Sequence, residues 1–333
     1  MIKKRNLDPS LIQWIMTTTG LGPGVGEIRY LVPASSSTSQ YRTQLQSMGV
    51  EDEDMYDDFV KAENALTGYR NDSLLVFPGT YTVTASTAWD KPNTHIIGLG
   101  GPLSQGAMGT SALINCETTA VASVVDVQGS NCQFHNIQMR NVAANAGNLC
   151  ALKLSLGVNF YSKNSHYNGQ GAATQVATAG ACAVWLYTAT AGKPWGARFD
   201  DCKIGDAGEV VRTAGPIIYF SGTAAGTAKY IDFRDCVIEG WSQTAANPAV
   251  HFAANYCADR WIRFKNSLFF NYYVNNVANL TQVFDNDCET TLKVILQNSS
   301  QTGWAAWNSD GLQYIYTDVA AAGATGGLMT ATT

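Results

Sequence analysis

Short apolar segments alternate with polar positions along most of this chain, and none runs long. Val124-Val125-Asp126-Val127, Ala151-Leu152-Lys153-Leu154, Ala183-Val184-Trp185-Leu186 and Ala249-Val250-His251-Phe252 each carry the two-residue period of a strand with one buried face. Gly, Asn, Thr and Ala fill the stretches between, which is the chemistry of turns. Six times an Asn or Asp stands two residues after an inward strand position: Asn136, Asn164, Asp201, Asp235, Asn266 and Asn298. Their spacings are 28, 37, 34, 31 and 32 residues. A second, apolar series (Val127, Leu154, Leu186, Phe220, Phe252, Phe284) steps by 27, 32, 34, 32 and 32. A repeat of about 32 residues means a solenoid or array. Helical repeats of that length need an apolar period of 3.6, and a propeller blade needs about 40–45 residues. The pattern therefore predicts an all-β chain wound as a parallel β-helix, with two or three short strands and one longer loop per coil.

The Asn/Asp series has a physical reason. Each coil must turn sharply while the next coil stacks about 4.8 Å away. Asn and Asp tolerate the left-handed backbone conformation, and stacked amides bond along the axis. The following position holds Ile137, Ser165, Cys202, Cys236, Ser267 and Ser299, mostly small residues suited to a narrow interior.

The first 70 residues follow another pattern. Asp8-Pro9 reads as a helix start, and Leu11, Ile12, Ile15 and Met16 form one apolar face behind it. The glycine-rich run from Gly20 to Gly26 reads as a linker. It lacks the Lys-Ser/Thr of a phosphate loop. Glu27–Val32 is a possible short strand and Ser35–Ser39 a loop. Glu51–Leu66 is predicted as an amphipathic helix that caps the open end of the solenoid. The expected organisation is an attachment arm over 1–45, a capping helix over 46–70, the β-helix over 71–310 and an Ala/Gly-rich tail over 311–333.

The entry into the repeat carries a resemblance. Arg70-Asn71-Asp72-Ser73-Leu74-Leu75-Val76-Phe77-Pro78-Gly79-Thr80-Tyr81-Thr82-Val83, and then Asn93-Thr94-His95-Ile96-Ile97-Gly98-Leu99-Gly100, resemble the first coils of pectin-lyase-like right-handed β-helices. That family includes polysaccharide lyases and hydrolases as well as phage tailspikes and other virion proteins. An arm, a glycine linker, a cap helix and a β-helix in that order look most like the phage layout. The resemblance implies a homotrimer in a virion, made in a host cytoplasm and joined to capsid or tail proteins through the arm, with possible contact to host glycans. The alternative is a tailspike enzyme that cleaves host polysaccharide.

Catalytic chemistry is hard to find in the sequence. Asp200, Asp232 and Glu239 are weak candidates for acids. Asp232 aligns with Arg198 and Arg263 of the flanking coils, and Asp200 with Arg234 and Lys265, so a neutralised charge ladder explains them without catalysis. Asp206, Glu209 and Glu239 are read as loop carboxylates. No Gly-His-Gly or Arg-x-Lys segment accompanies Asp200-Asp201, and no Gly-x-Ser-x-Gly elbow exists. The four histidines fall in different coils. Trp241, Trp261, Tyr272, Tyr273, Trp304 and Trp307 suit subunit packing or, less directly, a glycan groove.

Composition narrows the partners. The net charge of −5 disfavours nucleic acid, and charged residues make up only 14% of the chain, against about 25% in typical domains. No apolar run is long enough to span a membrane, and the N-terminus shows no signal-peptide core. The eight cysteines include no C-x-x-C pair, so small buried thiols are expected rather than metal ligands. No cofactor motif is present.

Overall fold

A computed structural model of the chain describes residues 26–34, 39–100, 112–117, 121–318 and 329–330. Within 121–318 it leaves out 148, 170, 173–176, 189–192, 207–210, 223–227, 243–246, 254–257, 273–281, 289–291, 305 and 309–313. Three sheets, of twelve, eight and seven strands, wind around one core. Each regular coil gives one strand to each sheet in turn, as in Arg198–Asp200, Lys203–Asp206 and Ile218–Gly222. Pairing between coils is parallel, except that Met329–Thr330 runs antiparallel to Ile315–Thr317. The architecture is the expected parallel β-helix, with the right-handed sense that parallel crossovers adopt.

The Asn/Asp series occupies the corner between the twelve- and eight-stranded sheets. Asn136, Asn164, Asp201, Asp235, Asn266 and Asn298 all hold φ between 46° and 53°. Asn164 donates its amide to Asn136 Oδ1 (3.0 Å), Asn266 to Asp235 Oδ1 (3.0 Å) and Asn298 to Asn266 Oδ1 (3.1 Å). Each backbone N–H at this corner donates to a carbonyl of the coil above, as Asn266 does to Gln297 (2.8 Å). At the last coil the carboxylate of Asp318 takes over and accepts from Asn298 N at 2.8 and 3.0 Å. The small residues that follow are buried, and Ser267 and Ser299 hydroxyls accept from the backbone of the coil below.

A second left-handed corner precedes seven strands of the long sheet, from Ser73–Val76 to Trp261–Lys265. Asn71, Asn93, Asn131 and Asn159 have φ of 56–58°, followed by Gly196, Tyr230 and Arg260 at 59–64°. Asn131 donates to Asn93 Oδ1 (3.0 Å) and Asn159 to Asn131 Oδ1 (3.1 Å). A Cβ at Gly196 would stand 2.7 Å from Asn159 Oδ1, so this coil keeps the corner with glycine.

Apolar side chains stack along the axis inside. Phe199, Phe233 and Phe264 lie nearly parallel at 4.9 and 4.7 Å. The apolar series holds from Val127 to Phe252, but Phe284 pairs with Val250, and Asn286 takes the place beside Phe252. The seven described sites among the eight cysteines carry buried free thiols; Cys257 lies outside the described residues.

The N-terminal cap differs from expectation. Instead of one helix over 51–66, a 3-10 turn at Asp52–Asp54 and a short strand precede helix α2, Phe59–Asn64. Asp58 caps it by accepting from Lys61 N (2.9 Å). Phe59, Ala62 and Leu66 enter the core, with Phe59 stacked on Trp89. Buried Glu63 is matched by Lys91 Nζ at 2.9 Å. The proposed arm is also body from Ile28 onward, because Ile28–Leu31 pairs with Ser73–Val76 in the long sheet. Helix α1, Ser39–Ser47, was expected to begin as loop, and it places Leu45 in an outer apolar cluster with Tyr30, Val32, Leu75 and Ile97. Leu11, Ile12, Ile15 and Met16 lie outside the described residues. Part of the predicted tail is body as well, since Ile315–Thr317 extends the long sheet.

Candidate functional site

The outer face of the long sheet changes character along the axis. Over the first coils it is apolar and covered by the Leu45 cluster. Beyond it, strand alternation presents two charged rows. One runs Gln133, Tyr161, Arg198, Asp232, Arg263 and the other His135, Lys163, Asp200, Arg234, Lys265. The two candidate carboxylates thus lie on one face in adjacent coils, diagonal to each other, in the register expected from the repeat.

Each carboxylate is held by arginine. Arg198, two residues before Asp200 on the same strand face, donates from Nε (2.8 Å) and Nη2 (2.5 Å), and Tyr161 donates its hydroxyl at 2.9 Å. Asp232 accepts from Arg234 Nε (2.7 Å) and from Arg263 Nε (2.9 Å) and Nη2 (2.6 Å). Burial alone would raise the Asp232 carboxyl. The bonds from Arg263 and Arg234 outweigh it, and the group titrates below the ordinary aspartate value. The bond to Asp200 raises Arg198, and the bond to Asp232 raises Arg263. Burial, then the bond to Asp200, pushes Tyr161 well above its usual value.

This arrangement limits the chemistry. Glycoside hydrolysis needs one carboxyl that stays protonated as an acid. Two arginine contacts keep Asp232 ionised, and both oxygens of Asp200 already accept from Arg198. Glu239 is not part of this face. It lies in the eight-stranded sheet, buried, with Lys203 Nζ at 2.6 Å from its carboxylate. Asp206, on the same sheet, accepts from Asn168 at 2.9 Å, and Glu209 lies outside the described residues.

The histidines are set by burial. His95 and His135 are pushed down to about 4 by desolvation and are neutral at pH 7, as is His166, whose Nε2 lies 2.9 Å from the Gly205 carbonyl. His251 sits on the seven-stranded sheet, with Nε2 3.1 Å from Asp287 and 3.7 Å from Asp285. These three are the described residues placed to hold a divalent cation, with donor atoms within 4.8 Å of one another.

Of the aromatics beside the charged rows, the sequence pointed to Trp261 but not to Trp195 or Tyr230. Trp195 and Tyr230 are exposed, and Trp261 stands edge-on to Tyr230 at 5.7 Å. Lys229 lies over the Trp195 ring at 4.4 Å and Arg263 over Trp261 at 5.2 Å. The positive φ of Tyr230 is the structural signal, and sequence alone does not carry it.

Known structures share the winding of this chain. A pectin methylesterase in complex with a hexasaccharide aligns with TM-score 0.51 at 13% identity, covering 82% of this chain and 78% of its own. Pectin methylesterase PemA from Erwinia chrysanthemi aligns with TM-score 0.51 at 14% identity, covering 86% and 82%. The chain shares the parallel β-helix fold of these proteins. The Escherichia coli protein YbhC gives TM-score 0.50 at 13% identity, covering 85% of this chain and 74% of its own. At such identity the likeness extends to the fold alone. No family model and no curated protein matches the chain.

Proposed function

We propose that this β-helix binds an acidic polysaccharide along the outer face of its long sheet and does not cleave it. The observation that carries the reading is the cation surplus there. Lys163, Arg198, Arg234, Arg263 and Lys265 face two carboxylates, Asp200 and Asp232, on a chain whose net charge is −5. Arginine forks suit the carboxylates of uronic acids. The arginine-held carboxylates argue against a glycoside hydrolase. The pectin methylesterases that share the fold support a polysaccharide ligand by analogy of fold.

The order of segments extends the proposal. A body of this kind, homotrimeric and joined to a virion through the residues before Gly26, would present the charged face to a host glycan. That extension rests on the chain layout described above.

The test is retention on alginate and polygalacturonate against dextran, at low and high salt. The acidic polymers should be retained and released by salt, with Arg263→Gln weakening retention. Equal retention on dextran, or none on either acidic polymer, refutes the reading. Shortening or de-esterification of a bound polymer would instead make the protein an enzyme.

A further inference from the structure

The second corner changes residue type where it borders the charged face. Over its early coils the left-handed position is Asn71, Asn93, Asn131, Asn159 and then Gly196, residues that adopt this conformation at little cost. The next two coils place Tyr230 (φ 59°) and Arg260 (φ 64°) there, although a bulky side chain disfavours that backbone. Conformations kept against local preference concentrate at sites of function. Tyr230 does not repay the conformation by burial, since it is 43% exposed. Its ring meets the edge of Trp261, and the 38% exposed Trp195 lies one coil below with Lys229 over its ring. Arg260 is exposed and lies near Asp259, Nε to Oδ2 at 3.5 Å.

We propose that Trp195, Tyr230 and Trp261, with Lys229 and Arg260, form a stacking subsite for pyranose rings of a uronic-acid polysaccharide. The inference rests on the binding function proposed above and says where the chain lies. Aromatic faces accept the apolar C–H face of a sugar ring, while the neighbouring cations take its carboxylate. The subsite adjoins the charged rows, because Trp261 and Arg263 share one strand face and touch. It spans successive coils about 4.8 Å apart, so a glycan laid along the helix axis would meet one aromatic after another. The charged rows would grip carboxylates, and the corner would fix ring orientation and register.

The decisive variant is Tyr230→Asn, which restores the residue used at earlier coils. If the side chain is kept for a ligand, this change lowers affinity for alginate or polygalacturonate by about fivefold or more, the threshold at which an interface truncation counts as contributing. The melting temperature should stay equal to that of wild type or rise, because the corner relaxes. Trp195→Ala gives a second arm, with lower affinity at unchanged melting. Affinity unchanged in both variants while Arg263→Gln weakens binding would overturn the subsite and leave the binding function standing. A lower melting temperature with unchanged affinity for Tyr230→Asn would make the tyrosine structural. Absence of binding by wild type to both acidic polymers would overturn subsite and function together.

Discussion

Asn298 donates its side-chain amide to Oδ1 of Asn266 at 3.1 Å, and Asn266 passes its own amide to Asp235 Oδ1 at 3.0 Å. Asn266 is therefore donor and acceptor in one relay while it holds a left-handed backbone at φ 50°. Asn266→Ala removes both bonds and keeps the unfavourable backbone. It should destabilise the fold by about 1–3 kcal/mol in denaturant or thermal melts. Asn266→Gly loses the same bonds but tolerates the backbone, so it should cost less than Ala. Equal melting of wild type and the alanine variant would disprove the relay's contribution.

The buried histidines predict an acid-sensitive fold. His95 and His135 titrate near 4 when folded and near 6.5 when unfolded, because burial disfavours the charged ring. Between these values the unfolded chain binds more protons. Stability is thus fully present above about 6.5 and lost as pH falls towards about 4. Each unit of separation corresponds to about 1.4 kcal/mol, so each histidine contributes a loss of a few kcal/mol. His135→Gln should flatten melting temperature against pH across this window. An unchanged slope would rule the histidine out as its source.

Asp232 acts in the opposite sense and at lower pH. Its folded value is depressed, so its stabilising contribution is present above the ordinary aspartate range and lost only as pH falls through the lower folded value. Asp232→Asn should destabilise near neutral pH by leaving Arg234 and Arg263 without their shared anion. The difference from wild type should narrow in strong acid. A difference that is constant with pH would exclude the ion pair as its cause.

Arg212 is a cost carried inside the solenoid. Its side chain is fully buried, and Nη1 donates to the Pro248 carbonyl at 3.2 Å. Among the described residues Nε and Nη2 have no hydrogen-bond partner, and burial lowers the guanidinium to about 9. An unmatched buried cation is expensive, and an apolar side chain of similar length is not. Arg212→Met should leave the melting temperature unchanged or raise it. A loss of several degrees would reveal a partner for the guanidinium.

Two truncations separate arm from body. Removing 1–25 leaves the Ile28–Leu31 strand in place and should preserve the β signal in circular dichroism and the melting temperature. Removing 1–33 also strips buried Tyr30, Leu31 and Val32 from the long sheet and should lower the melting temperature. Identical melting of the two truncated chains would show that the strand adds nothing.

The solenoid was legible because one corner repeats a residue whose chemistry is tied to one backbone conformation. The second corner was not, because its Asn run ends at Asn159 and gives way to Gly196, Tyr230 and Arg260. Helix α1 escaped because its first residues read as loop and it buries few side chains. Phe284 was placed one strand pair out, since a fixed period cannot register a coil that shifts by two residues. The charged alignment of Asp200 and Asp232 across coils was visible in the repeat. The same-strand grip of Arg198 on Asp200 and of Arg234 on Asp232 was not, because spacing gives no side-chain direction.

Asp318 bears on whether such a rod can grow. From Asn136 to Asn266 each coil offers its corner N–H to a carbonyl overhead, which is also how a further molecule would add to the end. At the top that N–H is already taken by the Asp318 carboxylate, and Met329–Thr330 lies antiparallel along the last edge strand. A carboxylate accepts the bond but cannot continue the backbone ladder, so this corner is closed to a further coil. Without that carboxylate, the uppermost described coil would offer an unpaired corner N–H to the edge of a neighbouring molecule.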